Sequence, residues 1–269
     1  MINLKFACPV CQSALTQFDK SLKCENNHSF DLAKKGYANL LLSHQMSSKQ
    51  PGDNKAMIKA RTQFLEKGYY KPLIKRITQI LIEQKVNHLL DAGCGEGYYT
   101  QYLKQSINYI DGLDISKEGI LQGCRRDKSI NWCIGSVSAL PYLEESFDAV
   151  LSVFCRTEEE QFKKVLKQNG LILFVGPGVN HLPNLRSKLY DEVLPYQTDK
   201  QEDYFKDSFE MIHEEKLDIH FTVIQEDILP LLSMTPHYWK CTKENKEKLL
   251  EMNELKETGN FSIRLFRKL

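Results

Sequence analysis

Four residues near the amino terminus have the types and the spacing of a metal site. Cys8-Pro9-Val10-Cys11 is a thiolate knuckle, and Cys24 and His28 follow as a C-x3-H pair. The whole pattern, C-x2-C-x12-C-x3-H, puts close pairs at both ends of a short hairpin, which is what tetrahedral zinc needs. Pro9 and Asn26-Asn27 suit tight loops that aim the ligands inward. Four protein ligands leave no open coordination position, so the expected role is structural. In so small a segment the metal supplies most of the folding energy.

A second constellation runs from Leu89 to Thr100: Leu-Leu-Asp-Ala-Gly-Cys-Gly-Glu-Gly-Tyr-Tyr-Thr. An apolar run ends in Asp91, and Gly93, Gly95 and Gly97 follow at alternate positions. Glycine lets the backbone pass close to a ligand, and a helix start behind it offers free N–H groups. The third glycine comes too early for the dinucleotide pattern. About twenty residues on, Tyr109-Ile110-Asp111-Gly112-Leu113-Asp114 reads as a second strand ending in an acid, and Asp114 is placed to accept from ribose hydroxyls. A nucleoside ligand without phosphates fits this pair.

These residues need a scaffold, and the chain supplies an alternating one. Asp53 is placed to cap a helix starting near Lys55, with Met57, Ala60, Phe64 and Leu65 at helical spacing. A second helix begins at Pro72 and carries Leu73, Ile77, Ile80 and Leu81 on one face. After the strand at Leu89 come a helix over 99–104, a strand over 109–114, a helix over 117–126 and a strand over 131–135. A strand over 147–153, a helix over 158–167 and a strand over 170–175 complete the alternation. The segments 216–224 and 261–265 alternate apolar and polar residues and suit a final antiparallel pair. The expected fold class is α/β, a doubly wound Rossmann-like sheet with a small N-terminal zinc-binding module. Residues 1–45 form the zinc module, 46–85 a linker and helical arm, and 86–269 the sheet domain. Ser43 to Pro51 is polar and unpatterned and reads as the connection.

At 269 residues the chain can bury a sizeable core. No apolar run reaches the roughly 20 residues of a membrane span, and no signal peptide is visible, so a cytoplasmic protein is expected. Its 8 cysteines then read as thiols or metal ligands. Net charge is +1, but residues 1–85 hold 14 Lys and Arg against 6 Asp and Glu, and the remainder 22 against 29. A positive lobe facing a polyanion explains this asymmetry, and a solvated charged face is the plainer reading. Lys34, Lys35 and Tyr37 lie in that lobe. Tyr37 reads either as a base-stacking group or as packing beneath the zinc module.

The stretch around the glycines resembles motif I of the class I methyltransferases that use S-adenosylmethionine. Joined to the zinc knuckle, it is similar to the bacterial 23S ribosomal RNA guanine-N1 methyltransferases. Matching strings include Phe30-Asp31-Leu32-Ala33-Lys34-Lys35-Gly36-Tyr37, Pro51-Gly52-Asp53, Phe64-Leu65-Glu66-Lys67-Gly68-Tyr69-Tyr70, Gly176-Pro177-Gly178-Val179-Asn180-His181-Leu182 and Leu231-Leu232-Ser233-Met234-Thr235-Pro236. The resemblance implies zinc on Cys8, Cys11, Cys24 and His28. It also implies S-adenosylmethionine contacts at Tyr70, Gly95, Glu96 and His181. Gly93, Gly97 and Asp114 join them from the loop and strand reading. Ser136 stands where many class I enzymes place an acid for the adenine amine, so that contact is weaker or comes from backbone. The implied partner is 23S ribosomal RNA, with no membrane, and the implied assembly is a homodimer.

One stretch departs from the family. After the strand at 147–153 the family carries a small residue and a proline, and this chain has Phe154-Cys155-Arg156-Thr157. The loop faces the transferred methyl, which puts target geometry in question. Two rivals therefore stand beside RNA methylation: a methyltransferase for a small molecule or protein, and a catalytically silent RNA-binding relative. Methylation at N1 requires an unpaired or extruded guanine, and Tyr70, Trp239 and Phe154 are candidates to stack on it. No proton acceptor is identified. Glu158, Glu159 and Glu160 read first as surface helix carboxylates.

Overall fold

A computed structural model describes residues 5–46, 48, 51–196, 205 and 207–269. The connection read over Ser43 to Pro51 lies partly outside them, at positions 47, 49 and 50. In the N-terminal segment β1 (Thr16–Phe18), β2 (Ser21–Lys23) and β3 (Ser29–Asp31) form a small antiparallel sheet, followed by β4 (Tyr37–Asn39). Next come α1 (Lys55–Glu66), α2 (Lys71–Glu83), β5 (His88–Ala92), α3 (Tyr98–Leu103), β6 (Tyr109–Asp114), α4 (Lys117–Arg126) and β7 (Asn131–Ile134). Then follow β8 (Phe147–Val153), α5 (Glu159–Val165), β9 (Leu166–Pro177) and α6 (Pro183–Leu189). The chain ends with β10 (Phe209–Ile224), α7 (Gln225–Ser233), α8 (His237–Lys240), α9 (Lys243–Leu250) and β11 (Glu254–Lys268).

The main sheet has eight strands in the order β10-β11-β9-β8-β5-β6-β7-β4. Its centre is parallel, and β11 runs antiparallel to both β9 and β10. Side chains alternate faces along each strand, and the core records it. Leu89, Leu151 and Leu173 pack on one face with α2 residues Leu73, Ile74, Ile77, Ile80 and Leu81. Leu90, Val150 and Ile172 pack on the other with Phe147 and Phe162. Each such side chain, fully buried, is worth about 1.5–3 kcal/mol.

The zinc segment is part of this second face. Phe6, Leu15, Leu22 and Leu40 belong to the same buried cluster as Leu90, and the Phe6 ring lies 5.3 Å from Tyr142. Strand β4 runs parallel to β7, with Tyr37 opposite Trp132, and forms the sheet's far edge. Tyr37 is therefore buried beside Ile120 and Trp132 and presents no stacking surface. It packs on β7 and α4, in a cluster apart from the zinc segment's, so neither reading of this residue holds; strand pairing, which its local sequence does not announce, places it there.

Two further details depart from the sequence reading. Asn54, not Asp53, caps α1: its side chain accepts from the amides of Ala56 and Met57 at 2.9 and 3.1 Å. Asp53 instead pairs with Arg61 at 2.7 Å. The closing pair β10–β11 is much longer than the alternating segments, because exposed charges interrupt the apolar pattern along β10.

Candidate cofactor cleft and metal centre

The metal set closes as its spacing requires. The ligand atoms of Cys8, Cys11, Cys24 and His28 all lie within 4.8 Å of one another. Cys11 Sγ to Cys24 Sγ is 3.6 Å, and His28 Nδ1 lies 3.6 Å from Cys8 Sγ and 3.4 Å from Cys24 Sγ. A tetrahedron with Zn–S bonds of about 2.3 Å has edges near 3.8 Å, so these atoms fit zinc. Hydrogen bonds from Asn26 and Ser13 hold the Cys11 thiol down to about 5, which favours the thiolate ligand.

The cleft opens at the carboxyl ends of the parallel strands, where α/β sheets bind ligands. Its volume is about 730 Å³, in the upper part of the roughly 300–1,000 Å³ range of ligand pockets. The floor is the turn after β5. Gly93, Gly95 and Gly97 all have φ between +57° and +82°, a region that side chains rarely adopt. A side-chain carbon on Gly93 would collide with Cys155 Sγ. Asp91, at the end of β5, is buried and accepts from Thr100 Oγ1 at 2.6 Å, tying the turn to α3. Burial pushes its carboxyl up to about 7.

Asp114 ends β6 beside this turn. One carboxylate oxygen accepts from the Gly95 amide at 2.8 Å, the other from the Ser116 amide at 2.7 Å. The backbone thus fixes both oxygens, and each keeps acceptor capacity for a ribose hydroxyl. Burial raises its pKa against the pull of those two amides. Glu96 lines the cleft but is largely committed. Its Oε2 takes bonds from Arg126 Nε (2.7 Å), Arg126 Nη2 and Thr62 Oγ1 (3.1 Å). Its Oε1 is buried without a partner among the described residues, an acceptor that a bound donor would satisfy.

His181 closes the cleft from the loop after β9. Its Nδ1 donates to the Asn260 carbonyl at 2.7 Å, which fixes the tautomer and leaves Nε2 as an acceptor. Burial pushes it down to about 4, so the ring is neutral near pH 7. Tyr70 packs edge-on against Phe261 at 5.0 Å and lines the same cleft.

The structure thus brings Tyr70, Gly93, Gly95, Glu96, Asp114 and His181 around one cavity. Gly97 and Ser136 stand outside its lining. Gly97 lies against the Trp132 ring, 2.6 Å from where its side-chain carbon would be. Ser136 Oγ accepts from the Ser138 amide at 3.2 Å. Glu158 is held by Ser138 and Arg156, away from the cleft. Sequence reasoning missed Arg61, which reaches the cleft one turn after Met57 with its guanidinium beside Gly95. Their four-residue spacing was a signal, but Met57 read as core.

A doubly wound sheet with a nucleoside-type cleft at its carboxyl edge defines a class I, S-adenosylmethionine-dependent methyltransferase, here carrying a zinc ribbon. A family profile described as "RlmA, N-terminal" matches residues 6–49, and one described as "Methyltransferase domain" matches residues 90–174. The chain is 31% identical over 274 residues to a Bacillus subtilis protein that bears, provisionally, the name 23S rRNA (guanine-N(1)-)-methyltransferase. That match covers 96% of this chain and 95% of the other. The 23S rRNA (guanine(748)-N(1))-methyltransferase of Streptomyces fradiae is 26% identical, over 86% and 85% of the two chains. The chain belongs to the 23S rRNA guanine-N1 methyltransferase family. A solved Bacillus halodurans protein, titled provisionally a methyltransferase, shares the fold with a TM-score of 0.54 at 14% identity, over 72% of this chain and 97% of that one. Among the described residues no helix is long and apolar enough to cross a membrane.

Proposed function

We propose that this protein transfers the methyl group of S-adenosylmethionine to N1 of a guanine in a hairpin of 23S ribosomal RNA. The observation that carries the reading is the union, in one chain, of the zinc ribbon with this cleft, at 31% identity across 96% of the chain to a relative so named. The bound cofactor supplies a methyl group on a sulfonium, whose sulfur departs as a neutral thioether. As the N1–methyl bond forms, the N1 proton leaves to water, and catalysis rests mainly on holding N1 in line with that methyl.

The protein's residues divide that work. Gly93 and Gly95 admit the cofactor close to the backbone, and Asp114 receives the ribose hydroxyls. Glu96, Tyr70 and His181 bound the methionine end, and Gly97 and Ser136 support the loops on either side. Zinc on Cys8, Cys11, Cys24 and His28 fixes the hairpin that carries the RNA-facing surface. Lys34 and Lys35 are exposed at the turn between β3 and β4, where phosphates can reach them. The functional units are residues 1–45 for RNA recognition, 46–85 as linker and helical arm, and 86–269 for chemistry. Such a target places the protein in the cytoplasm, and a homodimer is the expected assembly, to be checked by light scattering.

The test is a map of 23S ribosomal RNA from strains with and without the gene. Methylation at N1 blocks the Watson–Crick edge, so reverse transcription stops at one guanine. That stop should vanish on deletion and return with the wild-type gene. An unchanged pattern of stops would overturn the proposal.

A further inference from the structure

The three aromatic residues that sequence offers for holding a base occupy quite different settings. Tyr70 is 1% exposed and enclosed by Phe64, Phe221 and Phe261. Trp239 is 65% exposed, on the short helix α8 at the rim. Phe154 lies between these extremes, 43% exposed and lining the cleft.

Its backbone sets it apart. Phe154 has φ +52°, an outlier for a bulky residue. Such conformations persist where the surroundings over-determine them, and they gather at functional sites. Here its amide donates to the Val175 carbonyl at 2.8 Å. Its ring rests on His181 at 5.5 Å and Phe261 at 5.9 Å. His181 is itself fixed by the Asn260 carbonyl. The ring is therefore buttressed from one side and open on the other. The next residue, Cys155, sits directly on Gly93, so the loop stands over the turn that cradles the cofactor.

We propose that Phe154 is the platform on which the target base stacks while its N1 faces the methyl group. The inference rests on the RNA reading above and deepens it. A rigid, half-open aromatic face beside the reacting group recognises a planar base whatever its edge pattern. Stacking there offsets the cost of extruding the base from its hairpin.

A double-mutant cycle tests this with full-length, zinc-loaded protein and S-adenosylhomocysteine present. Wild type and Phe154→Ala are titrated with the hairpin transcript and with the same hairpin lacking the target base. On intact RNA the variant should bind about 5- to 150-fold more weakly, the range of one aromatic–base stack. On the abasic RNA the two proteins should bind equally. Phe154→Trp should recover most of the intact-RNA affinity. Both variants should still bind S-adenosylhomocysteine, which reports an intact cleft. Equal losses on both RNAs, or no loss on either, would overturn the platform while wild-type methylation of the hairpin still supports the parent reading. If wild type fails to methylate the hairpin, the parent reading fails and the platform with it.

Discussion

On one side of the cleft most of the polar groups come from a single stretch, residues 91–116, joined by the Asp53–Arg61 pair from the start of α1. On the other, Phe154, His181, Tyr196 and Trp239 arrive from four separate segments. The first wall is made of backbone: positive-φ glycines, a buried Asp91 and an Asp114 whose two oxygens are held by amides. The second is made of side-chain packing, with His181 fixed against Asn260, and His237 holding Tyr190 and Tyr196 at 3.0 and 2.8 Å. A wall that grips an invariant cofactor can be written locally and rigidly. A wall that meets a variable target is assembled from distant pieces that can change one at a time.

The sharpest way to break this contrast is at a point where the walls touch. Gly93→Ala adds a carbon against Cys155 at a positive φ. Methyl transfer should fall by about 10²-fold or more, as small displacements beside reacting atoms do. The double variant Gly93→Ala/Cys155→Gly should recover part of it, read as initial rates with labelled cofactor. Full activity in the single variant would show that the walls are not in rigid contact.

Asp114→Ala tests the backbone wall alone. Losing a charged hydrogen-bond partner costs about 1.5–3 kcal/mol. Calorimetry should therefore show S-adenosylmethionine binding about 10- to 150-fold weaker, with RNA affinity little changed. An unchanged cofactor affinity would remove Asp114 from the site.

The smallest effect belongs to the packed wall. His237 bridges two tyrosines, and burial pushes it down to about 4 from 6.5. Near pH 8 it is neutral in both folded and unfolded chains. Between about 6.5 and 4 the unfolded chain takes up a proton that the folded one does not, so its contribution fades as pH falls. His237→Gln should melt about 2–4 °C below wild type at pH 8. The gap should narrow toward pH 5. A gap that widens on acidification would contradict the burial of a neutral ring.

Legibility in the sequence follows the same division. The strands 109–114 and 147–153 and the helix 117–126 were readable to the residue, because they are buried on both faces or cleanly capped. The zinc quartet was readable from spacing alone, since the ligands come as two close pairs, Cys8 and Cys11 on one knuckle and Cys24 and His28 on the turn between β2 and β3. Helices α6, α7, α8 and α9 were not read. The first is a seven-residue helix that Pro183 opens, Pro230 lies inside the second, and α9 buries only Leu249. The docking of β4 on β7 was invisible because three residues carry no pattern. Arg61 was hidden for a related reason: it serves the cleft from the partly exposed side of α1, where surface and site look alike.

The central claim is the reaction, and the direct measurement uses purified protein, S-adenosylmethionine labelled at the methyl group, and a transcript of the 23S hairpin. After digestion, nucleoside mass spectrometry should find the label as 1-methylguanosine at a single guanine. Label on another atom or another base, or no label in RNA at all, would contradict the account.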